Sequence, residues 1–132
     1  MTTRELKRRA VEFVKEFERP DAAKIAALIT DDFEYELMTR MPGVHTRFNR
    51  DEALSDFVGM LNRMAPNGMT FAVGKVICDG EDVVVEAESK AILVNNRPYN
   101  NRYLFHLEFR GDKVARMREY CDTNHIREAF MA

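Results

Sequence analysis

Tryptophan is absent from the 132 residues, and cysteine, proline and glycine are scarce, at two, four and six. So little glycine and proline excludes collagen-like and low-complexity chains. The two cysteines, Cys78 and Cys121, lie far apart and form neither a CxxC pair nor a Cys/His cluster. They read as reduced packing residues, which points to a cytoplasmic setting rather than a disulfide scaffold. An excess of either charge is also missing: twenty basic side chains face twenty-two acidic ones, for a net charge of -2, and neither sign forms a long run. A nucleic-acid footprint would need a clustered basic face. No apolar run approaches the ~18 residues of a membrane span, and the first thirty residues alternate charged with apolar positions. Neither a signal peptide nor a membrane helix is predicted. There is no glycine-rich phosphate loop and no GxSxG, and His45 and His125 stand without acidic or histidine partners at ligand spacing. No metal and no other cofactor is expected.

What is present is a globular composition, 45% hydrophobic and 32% charged. One domain spanning 1–132 is expected, burying roughly two thirds of the unfolded surface around a core with room for a small pocket. Thr2 and Glu5 have capping-box spacing, and Leu6, Ala10, Phe13, Val14 and Phe17 follow on one helical stripe. Pro20 and Asp21 interrupt that helix and start a shorter one carrying Ile25, Leu28 and Ile29, with its end near Asp31 and Asp32. Phe33, Tyr35 and Leu37 then alternate with Glu34 and Glu36, as in a half-buried strand. A loop with Pro42 and Gly43 leads to a third helix from Asn49 or Asp51 that buries Leu54, Phe57, Val58, Leu61 and Met64. After Gly68 come four strand-like runs, 69–78, 83–94, 99–109 and 114–121, with turns at Asp79-Gly80, Asn95-Asn96 and Gly111-Asp112. They read as an antiparallel meander, closed by a short helix from Thr123 with Ile126 and Phe130 inward. Helices first and a curved antiparallel sheet afterwards make an α+β cone.

The last hairpin carries the chemistry. Tyr103, Phe105, Leu107 and Phe109 share one face of its first strand, and Ala115, Met117 and Cys121 one face of its second. That apolar set also contains Glu119. A buried carboxylate without a partner costs several kcal/mol, so Glu119 reads either as a general acid or base at a pocket floor or as a strand-end residue that reaches solvent. His106 falls by alternation on the opposite face. Asn101, Tyr103, Met117 and Cys121 flank Glu119 and would shape a ligand or serve as ordinary sheet core. The eight methionines, Met60 and Met64 among them, fill irregular gaps or adapt to a ligand.

The leading helices, the Asp31-Asp32 pair before a strand, and FRGDKVARMREYCDT at 109–123 resemble the SnoaL-like members of the nuclear transport factor 2 (NTF2) superfamily over nearly the whole chain. The resemblance implies an NTF2-like cone, a homodimer through the outer face of the sheet, and a pocket for a small, largely apolar organic molecule. By ungapped spacing against limonene epoxide hydrolase relatives, Glu119 and Glu88 fall at the two catalytic acids and Tyr35 at the supporting tyrosine. Glu86 and Leu37 replace the arginine and asparagine, which argues against epoxide hydrolysis. Leu37, Phe13 and Phe105 occupy the ketosteroid isomerase positions and, being apolar, exclude that reaction. Polyketide cyclases of this kind rely on an acid in the Glu119 region with a nearby histidine; His106 is near in sequence, and its alternatives are the pocket or, as alternation suggests, a surface or dimer-face place.

Composition places Glu86, Glu88 and Lys90 in water, with Val85, Ala87 and Ser89 on the other face. The resemblance turns the charged set inward and leaves the small residues for a dimer contact. The expected site therefore has Glu119 and Glu88 as acid and base for cyclisation, isomerisation or hydration, with Tyr35, Glu86, Asn101, Tyr103, Phe105, Met117, Cys121, Met60, Met64 and Phe13 around the ligand. The competing expectation is a non-catalytic binding or assembly module.

Overall fold

The structure, a computed structural model, describes residues 1–131. Helix α1 spans Thr3–Glu16 and begins where the Thr2 hydroxyl accepts the Glu5 N–H at 3.1 Å. Its apolar stripe buries Leu6, Ala10, Phe13 and Val14. Asp21 caps α2, Ala22–Ala26, through the N–H groups of Ala23 and Lys24. This helix ends earlier than its apolar spacing suggests. Residues expected to finish it, Ile29 to Asp32, already belong to strand β1, Ile29–Leu37. Strand β2, Arg47–Asn49, pairs antiparallel with β1.

Asn49 and Glu52 form a complete capping box over α3, Arg50–Glu52. The chain continues as a π-helical segment, Ala53–Phe57, into α4, Val58–Met64. That wider turn, unannounced by the spacing, shifts the helix's facing residues between its two ends. Strands β3 (Thr70–Asp79), β4 (Asp82–Ile92), β6 (Arg102–Arg110) and β7 (Lys113–Cys121) form the expected meander. A two-residue strand, β5 (Pro98–Tyr99), pairs only with β4. Helix α5, Thr123–Ile126, is capped by Asp122 and runs into a second π-helical segment, Arg127–Met131.

The sheet order is β2-β1-β7-β6-β4-β3. Its one departure from a fully antiparallel arrangement is the parallel pairing of β1 with β7, a contact between chain segments too distant for local pattern to signal. The result is a strongly curled mixed sheet with α1 lying against β3, β4 and β6. Bulges sharpen the curl. One inserts Ala115: Phe109 pairs with Val114 but Glu108 with Arg116. Val114, not Ala115, therefore points into the core, and the inward set resumes at Met117 and Glu119.

The connection from α4 to β3 depends on Gly68, whose φ of +77° suits glycine. A Cβ there would lie 2.8 Å from the Glu18 carbonyl oxygen, which already accepts the Met69 N–H. Backbone cannot step aside as a side chain could. Gly68→Ala is expected to lower stability by about 2 kcal/mol, read from the midpoint of urea unfolding.

Candidate functional site: a buried acid in an aromatic cavity

The mouth of the cone is closed by α4 on one side and the C-terminal helix on the other. Inside lies a cavity of about 100 Å³ walled by Tyr35 and Leu37 of β1, Tyr103 and Phe105 of β6, and Met117 and Glu119 of β7. Phe17, Phe71, Tyr99 and Met69 complete its depth. Phe57, Met60, Ile126 and Phe130 also line it but remain partly exposed, and so mark the entrance.

Glu119 is 8% exposed. The sheet register explains its isolation: its neighbours across the strands are Leu37 on β1 and Phe105 on β6, both apolar. The parallel register sets Tyr35 beside Met117, one inward position away, and from there its hydroxyl donates to Glu119 Oε1 at 2.8 Å. Tyr35 is held by stacking on Phe57 at 4.3 Å between ring centres. Among the described residues no lysine, arginine or histidine lines the cavity. Burial pushes the Glu119 carboxyl above the ordinary carboxylate range, opposed only by hydrogen bonding to Tyr35 and the Cys121 thiol. Burial likewise pushes the Tyr35, Tyr99 and Tyr103 phenols and the Cys121 thiol up, and the nearby Glu119 charge adds to each shift. The three phenols and the thiol therefore keep their protons at neutral pH.

Behind the cavity wall Asn101 is fully used. Its Nδ2 donates to the Tyr99 hydroxyl at 3.2 Å and to the Asp122 carbonyl at 3.1 Å. Its Oδ1 accepts from the N–H groups of Arg102 and Asp122. Ser89 Oγ accepts from the Asn101 N–H and from the Tyr103 hydroxyl, both at 2.9 Å. Asn101 thus ties the start of β6 to the end of β7 and steadies Tyr99. Removing it strands several buried polar groups, so Asn101→Ala is expected to cost about 2–4 kcal/mol; chemical denaturation of the variant measures this.

Tyr35, Tyr103, Phe105, Met117, Met60 and Glu119 thus surround one space, while several other expected site residues lie elsewhere. Glu88 lies on the outer face, with its side chain 64% exposed and paired to Arg102 at 3.4 Å. Glu86 is outside too, its Oε1 accepting the Lys75 N–H where the β3 bulge exposes it. Both corrections have one cause. Along β4 the buried residues are Val83, Val85, Ala87, Ser89 and Ala91, and strand alternation puts the charged set in water. Ala87 and Ser89 are accordingly core residues and cannot form a dimer face. Phe13 belongs to the core between α1 and the sheet rather than to the cavity wall, and Met64 packs outside that wall. Asn101 and Cys121 stand behind the lining. His106 is on the outer face, 2.8 Å from Asp82. Among the liners outside the expected set, which include Phe17, Phe57, Phe71 and Phe130, Tyr99 shares the parity of Asn101, Tyr103 and Phe105 and is within reach of the strand pattern.

Against known families, residues 10–117 match the SnoaL-like domain. The chain belongs to the SnoaL-like family. Solved structures agree on the fold. AusH from Aspergillus nidulans superposes with a TM-score of 0.79 at 19% identity, over 92% of this chain and 86% of that one. A candidate isomerase from Bacillus subtilis gives 0.84 at 17% identity, over 98% and 96%. An NTF2-like protein from Anabaena variabilis gives 0.76 at 21% identity, over 92% and 93%. No curated protein matches the sequence. At such identities the SnoaL-like likeness establishes the NTF2-like fold and leaves the reaction to be argued from the cavity.

Proposed function

We propose that this SnoaL-like protein binds a small, largely apolar organic molecule in its cone and uses Glu119 as a general acid or base on it, for cyclisation, isomerisation or hydration. The observation that carries this reading is the buried Glu119 carboxyl on the cavity wall, hydrogen-bonded by Tyr35 and without a cation beside it. A carboxyl in that setting keeps its proton to higher pH and can give it to, or recover it from, a bound ligand. With Glu88 outside, the second proton-transfer partner falls to the tyrosines. Tyr35 relays through its bond to Glu119, and Tyr99, whose oxygen only accepts from Asn101, presents its phenol to the same space.

A second reading, a ligand binder without turnover, is favoured by that same single acid, because the paired-carboxylate arrangement is not assembled. Glu119→Gln separates the two when ligands found by a thermal-shift screen are assayed for conversion. An enzyme loses at least ~100-fold in turnover while keeping its ligand. Turnover that survives the substitution removes Glu119 from the chemistry.

We further propose that two copies pair through the outer face of the sheet, in the cytoplasm. Exposed Leu104 and Tyr120 on β6 and β7 support the pairing. No helix among the described residues is long and apolar enough to cross a membrane. Leu104→Asp is expected to shift the sedimentation coefficient from dimer to monomer, and a protein already monomeric before the change contradicts the pairing.

A further inference from the structure

The cavity has a charge preference as well as a size, and the two together narrow what can enter. Every ionisable group on its wall is an acid: Glu119, Tyr35, Tyr99 and Tyr103. The rest of the wall is hydrocarbon, aromatic ring or methionine thioether. A ligand carboxylate, phosphate or sulfonate would shed its hydration here and meet no cation in return.

Size sets the second limit. The space of about 100 Å³ compares with the ~150 Å³ apolar cavity that accepts benzene. One ring is accommodated with modest shifts of Met60, Met69 and Met117, whose unbranched thioethers adapt readily.

Hydrogen-bond accounting sets the third. Tyr35 donates to Glu119 Oε1, so that oxygen is taken. Tyr103 donates to Ser89 Oγ; the Tyr99 oxygen receives the Asn101 amide, and its own proton is the one other donor on the wall among the described residues. With Oε1 accepting from Tyr35, the other oxygen of the Glu119 carboxyl is the one that, when protonated, can donate to a ligand acceptor.

We infer that the cavity selects an uncharged molecule of about one ring that carries a carbonyl or ether oxygen, held by a hydrogen bond from the Glu119 carboxyl, and that it excludes anions. This rests on the ligand-binding reading above and names the ligand's chemical class. Ring, oxygen and neutrality each answer to a separate feature of the wall, so each can be tested by changing one part of a probe.

Four probes of one ring size serve: toluene, acetophenone, benzoate and benzylamine. They are titrated at pH 5 by ligand-observed NMR into the full chain, Glu119→Gln and Glu119→Met. Gln keeps a hydrogen-bond donor of the same shape, whereas Met keeps the volume and loses the donor. Amide spectra of both variants confirm that they are folded. Acetophenone is expected to bind several-fold to ~10-fold tighter than toluene in the unsubstituted and Gln proteins, a hydrogen bond's worth of preference. The preference should vanish in Glu119→Met, and benzoate, mostly ionised at this pH, should bind several-fold more weakly than acetophenone.

Benzoate binding as well as acetophenone overturns the exclusion of anions. Benzylamine binding more tightly than acetophenone overturns neutrality, since the carboxylate would then be serving as a counter-ion. Toluene binding with no ketone preference, or a ketone preference that survives Glu119→Met, overturns the role given to Glu119 while leaving the cavity a binding site. If no probe binds, toluene included, the ligand-binding reading falls with the inference.

Discussion

Glu119→Gln is expected to become progressively more stable than the unsubstituted protein as pH rises above about 4.5. The direction follows from proton linkage. Burial raises the Glu119 carboxyl in the folded state, while in the unfolded chain it titrates near ~4.3. Below that value both states hold the proton, and the residue contributes no pH dependence. Above it the unfolded chain releases the proton and the folded chain retains it, so the folded state binds more protons and stability falls with pH. The loss runs at up to ~1.4 kcal/mol per pH unit and stops once pH passes the folded-state titration. Gln has the same shape, can still accept from Tyr35 and does not titrate, so subtracting its curve isolates Glu119.

The subtraction matters because other carboxylates act in the opposite sense. Asp32 is held at about 2 by hydrogen bonds from Arg110 and Thr30. Its contribution is present above the unfolded value near ~3.9 and is lost as pH falls toward 2. It is fully exposed, so solvent screening keeps that contribution small. Guanidinium unfolding of the two proteins at half-unit steps from pH 4 to 8 gives the difference curve. A flat difference, or one of opposite slope, would mean that Glu119 is solvated.

The largest stability loss is expected from Phe13→Ala, about 3–5 kcal/mol, or roughly 10–20 °C in Tm for a domain of this size. Phe13 is 2% exposed and packs edge-on to Phe17 at 5.4 Å between ring centres. Truncation leaves a hole that the sheet, fixed by its ladder of hydrogen bonds, cannot collapse to fill. The contrast is Met60→Ala at the entrance, where the lost side chain is partly exposed and opens onto the cavity. Its expected cost is about 1 kcal/mol, with a larger effect on ligand binding. Calorimetric scans of both variants decide whether Phe13 is core, as its burial says, or a ligand contact, as the family spacing implied. Equal destabilisation by the two would contradict the assignment.

That contrast also shows what local pattern can and cannot carry. Thr2, Asp21, Asn49 and Asp122 each announce a helix start, because a capping side chain bonds backbone two or three residues away. The meander and the inward set Tyr103, Phe105, Leu107 and Phe109 follow from strict alternation. Glu119 was legible for the same reason, as one acid on an apolar face. Glu88 was misplaced because an ungapped spacing from a distant relative overrode the alternation of its own strand, and bulges such as that between Val73 and Val76 make ungapped spacing unsafe. The Tyr35 to Glu119 bond could not be read locally. It requires β1 to lie parallel to β7, with the two residues 84 apart in sequence. The π-helical turn at Ala53–Phe57, which brings Phe57 onto Tyr35, likewise depends on packing rather than on spacing.

The central claim is that Glu119 is a desolvated acid facing the cavity, and a carbon-detected NMR titration of its side-chain carboxyl tests it most directly, with Glu119→Gln securing the assignment. The account expects a midpoint above the ~4.3 of a free glutamate, and a further change on adding acetophenone. A midpoint at or below that value, unmoved by any ligand, would contradict it.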